Sequence, residues 1–97
     1  MDELKRLFDA HEKDAWPESL ERGSKFEGVE VVMLDADAVG IVHSFLGCSH
    51  RLDVHQTKIL REIKRELKLL VPKLDSGSRP YFARLERMTD LILREFL

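Results

Sequence analysis

Only one cysteine, Cys48, occurs in the chain, which excludes an intrachain disulfide and agrees with a reducing compartment. No apolar run approaches the roughly 18–20 residues that a membrane-crossing helix requires. The first residues, MDELKRLFDAHEKD, are charged and amphipathic and hold no apolar signal core, so the sequence predicts a cytoplasmic protein. Paired C-x-x-C or H-x-x-x-H spacings, a glycine-rich phosphate loop and a second D-x-D motif are all missing. With them go the usual signals for structural zinc, nucleotide binding and two-metal phosphoryl chemistry. There is no internal repeat and no low-complexity segment. Charge itself is missing from Ala38 to His50, in a chain whose charged fraction is 35%.

What is present suits a helix-rich domain. The apolar fraction of 43% across 97 residues is enough for one modest core, and a single domain spanning 1–97 is expected. The net charge of -2 is unevenly placed. Residues 1–37 carry 5 Lys/Arg against 11 Asp/Glu, whereas residues 51–73 carry 7 basic and 3 acidic groups. The simplest account is complementarity within the chain or between two copies. The functional account is a basic surface for a polyanion.

Apolar spacing predicts an all-α fold, a small bundle of about four helices over 2–14, 35–47, 53–71 and 79–96. Asp2 is placed to cap the first helix, and Trp16-Pro17 ends it. In the third, Leu52, Ile59, Leu60, Ile63, Leu67, Leu70, Val71 and Leu74 form a stripe, with Asp53 as cap and Pro72 just past the end. In the fourth, Tyr81, Phe82, Leu85, Met88, Ile92, Leu93 and Phe96 do the same, with Ser78 as cap. Each stripe is the width of a helix face packed on a core. Residues 28–34 are rich in β-branched side chains, and no second strand candidate is visible. They are expected to form a non-helical or extended arm leading into the second helix.

The second helix is expected to be the buried centre. Asp35 is its predicted cap and Asp37 sits in its first turn, near the positive end of the dipole. One face carries Leu34, Ala38, Ile41, Val42, Phe45 and Leu46. The other carries small residues at Ala36, Gly40 and Ser44, with Cys48 next in the series. A glycine in mid-helix costs about 1 kcal/mol relative to alanine. Close approach of another backbone at Gly40 would compensate, so packing on both sides is expected, with Cys48 buried in the small face. Cys48, His43, His50 and His55 have ligand chemistry but lack metal-site spacing. No metal, no cofactor and no catalytic residue is assigned.

The function expected from these features is a non-enzymatic protein-interaction module, a homo-oligomer such as a homodimer. Its candidate interface residues are Val31, Met33, Ala36, Gly40, Ser44 and Leu69. An inhibitor or immunity-type protein, whose acidic first 37 residues cover a basic partner site, is a variant of this reading. The alternative is nucleic-acid or anionic-surface binding through the basic face of the third helix, formed by Lys58, Arg61, Lys64, Arg65 and Lys68. Against it, Glu62 and Glu66 interrupt the positive field, and the basic groups lie beyond the N-terminal turn that usually reads bases.

Overall fold

Apolar residues at helical spacing decide which face of each helix turns inward, and they do so in all four helices. A computed structural model describes residues 2–95, and the side chains of 3–95. The helices are α1 (Asp2–Lys13), α2 (Val31–Gly47), α3 (Val54–Leu70) and α4 (Arg79–Glu95). A short hairpin of β1 (Lys25–Phe26) and β2 (Val29–Glu30) precedes α2, and a 3-10 turn covers Val71–Lys73. The expected cap side chain at Asp2 and the apolar Phe96 lie outside the described residues.

The buried set contains Leu4 and Phe8 of α1, and Val31, Leu34, Ala38, Val42 and Phe45 of α2. From α3 it takes Leu60, Ile63, Leu67 and Leu70, and from α4 Phe82, Leu85, Met88 and Ile92. Burying each large side chain stabilises by about 1.5–3 kcal/mol. Helix α4 packs against the other three helices, and α2 lies between α1, α3 and α4. The chain is a small all-helical bundle, as its periodicity predicts. Among the described residues no helix is long and apolar enough to cross a membrane.

The entry to α2 differs from expectation. Residues 31–34 are helical rather than extended, and the N-cap is Glu30, whose side chain makes no capping bond. Asp35 is therefore not the cap and sits inside the helix. The buried residues Val31, Leu34, Ala38, Val42 and Phe45 recur every three or four positions from residue 31 onward. That period outweighs the β-branched content. The strand pair that was not foreseen is β1 with β2, where Lys25 faces Glu30 and Phe26 faces Val29. Two-residue strands are too short to show an alternating pattern. Glu27 and Gly28 join them with φ of 53° and 86°, the left-handed pair that a two-residue hairpin turn demands.

Gly47 is the last residue of α2, as expected, but the left-handed positions follow it, at Ser49 and His50. The His50 N–H donates to the Phe45 carbonyl at 3.0 Å, closing the helix with a Schellman-type bond. Helix α3 starts with a full capping box. The Gln56 N–H donates to Asp53 Oδ1 at 2.7 Å, and the Asp53 N–H donates to the Gln56 side chain at 3.1 Å. Ser78 stands just before α4, yet its hydroxyl donates to Asp75 Oδ1 rather than accepting from the helix. Asp75 also accepts from the Ser78 N–H and the Ser19 hydroxyl, and these bonds hold its carboxyl below the usual aspartate range.

Among the described residues nothing packs on the second side of α2 at Gly40. A methyl group built on Gly40 would meet nothing within 4 Å. Ala36 and Gly40 are exposed, Ser44 is half-buried, and Cys48 is exposed rather than buried. The sign of a substitution is now decided: Gly40→Ala should stabilise by up to ~1 kcal/mol, since it gains helix propensity and displaces nothing. Urea unfolding checks this. A loss of stability would mean that a second subunit covers the stripe.

Candidate functional site

Three features of the surface and its margin bear on function, and the first was invisible in the sequence reading. Asp35, displaced from the cap, is held by two other helices. Its Oδ1 lies 2.8 Å from His11 Nε2, and its Oδ2 accepts from the Tyr81 hydroxyl at 3.0 Å. Arg84 Nε donates to His11 Nδ1 at 3.2 Å, and the same guanidinium reaches Asp14 at 2.8 Å. A guanidinium only donates, so Nδ1 is the acceptor, and the neutral ring carries its proton on Nε2, donated to Asp35. The His11 side chain is 3% exposed. Burial and the neighbouring Asp35 charge push the Tyr81 hydroxyl well above its ordinary pKa. Both nitrogens of His11 are engaged, and no serine, threonine or cysteine hydrogen-bonds to them. The arrangement works as a clamp joining α1, α2 and α4. Its only sequence signal was a histidine at i, i+4, i+7 spacing with Leu4 and Phe8.

The second feature is the outer face of α3. Two carboxylates of the acidic N-terminal segment find their partners on α4: Arg87 forks onto Glu3 at 2.9 and 3.1 Å, and Arg84 takes Asp14 at 2.8 Å. These bonds lower the pKa of Glu3 and of Asp14. The predicted basic face of α3 is thereby left largely unneutralised, but it is divided. Lys64 turns to α4 and pairs with Asp90 at 2.7 Å, which holds the Asp90 carboxyl low. Lys68 lines the same α3–α4 furrow. Lys58, Arg61 and Arg65 instead line an open groove of about 490 Å³ together with Leu52, Val54 and Glu62. Among the described residues no carboxylate lies within 4 Å of these three cations.

The third feature is apolar. Among the described residues the exposed large hydrophobics are Met33 at 53%, Val54 at 89% and Leu69 at 56%. Met33 and Leu69 both lie beside the hairpin. Leu69 lines one shallow groove with Phe26 and Val29, Met33 lines its neighbour, and the two share Val29 and Glu66. A patch of Phe26, Val29, Met33 and Leu69 results, edged by the carboxylates of Glu27, Glu30, Asp37 and Glu66. Of the six predicted interface residues, Met33 and Leu69 line these two neighbouring grooves. Ala36, Gly40 and Ser44 line a separate groove with Ile41 and Ile59. Val31 is fully buried against this chain's own core and drops out of any surface.

The residues with metal-ligand chemistry do not converge. His43 lies beside Phe8, with ring centroids 5.9 Å apart, while Cys48, His50 and His55 are exposed around the α2–α3 turn. Among the described residues no three His, Cys, Asp or Glu side chains form a group able to hold a metal ion. No family model, no curated protein and no solved structure matches this chain.

Proposed function

We propose that this protein is a non-enzymatic protein-interaction module that self-associates as a homo-oligomer. The observation that carries this reading is the patch around the hairpin, where Met33 and Leu69, far apart in sequence, expose apolar surface beside Val29. Single exposed hydrophobics are ordinary, whereas a clustered patch with a polar rim has the make-up of a contact surface. Sedimentation equilibrium across a range of concentrations tests it. The mass should rise with concentration, and Leu69→Asp should hold the protein monomeric without altering its helical circular dichroism. A wild-type chain that stays monomeric at millimolar concentration would overturn the reading.

A second reading rests on the α3 groove, where Lys58, Arg61 and Arg65 have no carboxylate partner among the described residues. Such a site suits an anionic ligand, nucleic acid included. Binding to a duplex should then weaken steeply with salt. Absence of any binding at low salt would remove it.

A further inference from the structure

We propose that the outer ridge of α3 docks on the surface of an anionic lipid bilayer. This rests on the anionic reading of the α3 groove and names its partner. At about 100° per residue, Lys58, Arg61, Arg65 and Lys68 fall within an arc of about 80°. The arc lies opposite the buried Leu60, Ile63, Leu67 and Leu70, so it is the part of the helix farthest from the core. All four side chains are exposed, and none has a carboxylate within 4 Å among the described residues. Val54, 89% exposed, falls inside the same arc, about one turn before Lys58. The four cations span about 15 Å of the helix axis.

Shape and charge favour a flat anionic partner over a grooved one. A helix lying in the major groove of a duplex turns its flanks toward the phosphate walls. On one flank of this ridge stand Glu62 and Glu66, about 100° and 140° round from Arg61. On the other, Lys64 is already paired with Asp90 at 2.7 Å. Both flanks therefore set carboxylates against a groove's phosphates, whereas a bilayer surface meets the ridge alone. Its headgroups receive the four cations, and Val54 enters the boundary between headgroups and acyl chains, where apolar surface is buried. The net charge of -2 does not prevent this. The molecule measures 36 × 26 × 18 Å, and the Debye length at physiological salt is about 8 Å, so carboxylates on the far faces are screened from the bilayer. Glu62, at the edge of the ridge, is close enough to oppose the cations in part. Four cations stand at the lower end of the basic clusters that hold a helix on acidic lipid, so the docking is reversible and salt-sensitive.

Cosedimentation with vesicles of phosphatidylserine and phosphatidylcholine in equal parts tests the docking at low salt, each variant being checked for unchanged helical circular dichroism. The wild type should bind these vesicles, leave them as salt rises, and ignore vesicles of phosphatidylcholine alone. A lysine or arginine near an anionic surface strengthens binding about fivefold, so Arg61→Gln combined with Arg65→Gln should weaken it roughly twenty-five-fold. Glu62→Gln should tighten it, by up to about fivefold. In a Cys48→Ser background, a solvent-sensitive dye attached at Val54→Cys should shift its emission to the blue on the mixed vesicles. A DNA duplex, offered at equal anionic charge, is the second probe. A chain that prefers the duplex would overturn the bilayer docking and leave the anionic reading standing. Binding to neither would overturn both. Vesicle binding unchanged by the double substitution, or an unshifted dye at position 54, would overturn the ridge as the docking surface.

Discussion

Asp35→Ala is expected to lower stability by about 2–5 kcal/mol. The loss follows from the partners left behind. Without the carboxylate, the buried Nε2–H of His11 and the hydroxyl of Tyr81 each lose their acceptor at a site that is only partly open to water, the Asp35 side chain being 18% exposed. A buried donor without a partner costs about 1–3 kcal/mol, and two are orphaned together. Asp35→Asn keeps one acceptor oxygen for His11, but its amide meets the Tyr81 hydroxyl only as a donor, so that O–H loses its acceptor and the variant should still cost about 1–3 kcal/mol. These values separate the clamp from a helix cap. A cap residue would tolerate asparagine and lose about 1 kcal/mol on going to alanine. Urea unfolding of the two variants decides between them. In a domain of this length, whose whole stability is of order 5–15 kcal/mol, the alanine variant should unfold at markedly lower denaturant. A loss below 1 kcal/mol would show that the clamp contributes little.

Phe82→Ala is expected to cost about 3–5 kcal/mol, the range for removing a fully buried ring. Phe82 has no exposed surface and lies where α4 meets the segment after α1. Its ring stands edge-on to Trp16, with centroids 5.8 Å apart, and 5.2 Å from Tyr81. Trp16 in turn donates its indole N–H to the Leu20 carbonyl at 2.7 Å and carries the Arg22 guanidinium over its face. Removal of Phe82 therefore opens a cavity and also withdraws support from the 16–20 turn. Trp16 is the only tryptophan, so its fluorescence reports the change directly. The emission should shift to the red in the folded variant, and the urea midpoint should fall. Unshifted emission with a loss below 1 kcal/mol would mean that neighbouring side chains refill the space.

The fold was largely legible because its strongest signals are local. The stripes of α3 and α4, the cap at Asp53 and the stop at Pro72 each depend on residues within a few positions of one another. The start of α2 was misjudged because composition was weighed over period: Val31 and Val32 are β-branched, but Val31, Leu34 and Ala38 already keep helical spacing. The hairpin was missed because Glu27 is an uncommon residue for a left-handed turn position. Of the interface residues, Met33 and Leu69 were recognisable as apolar residues off the core stripe. That they share one patch was not, since a hairpin and two helices build it.

By itself the sequence determined the number of helices, the face each buries and the signs of its charged segments, because period and composition act along the chain. Only the tertiary structure decided which charges cancel. It set the arginines of α4, not the cations of α3, against the acidic N-terminus, and left Lys58, Arg61 and Arg65 outward. It also took Asp35 from a capping role and placed it between His11 and Tyr81, 24 and 46 residues away in sequence. The physical reason is the same in both cases. A side chain's partners are set by which helix faces meet, and that depends on how whole apolar stripes pack together, a property no local window contains.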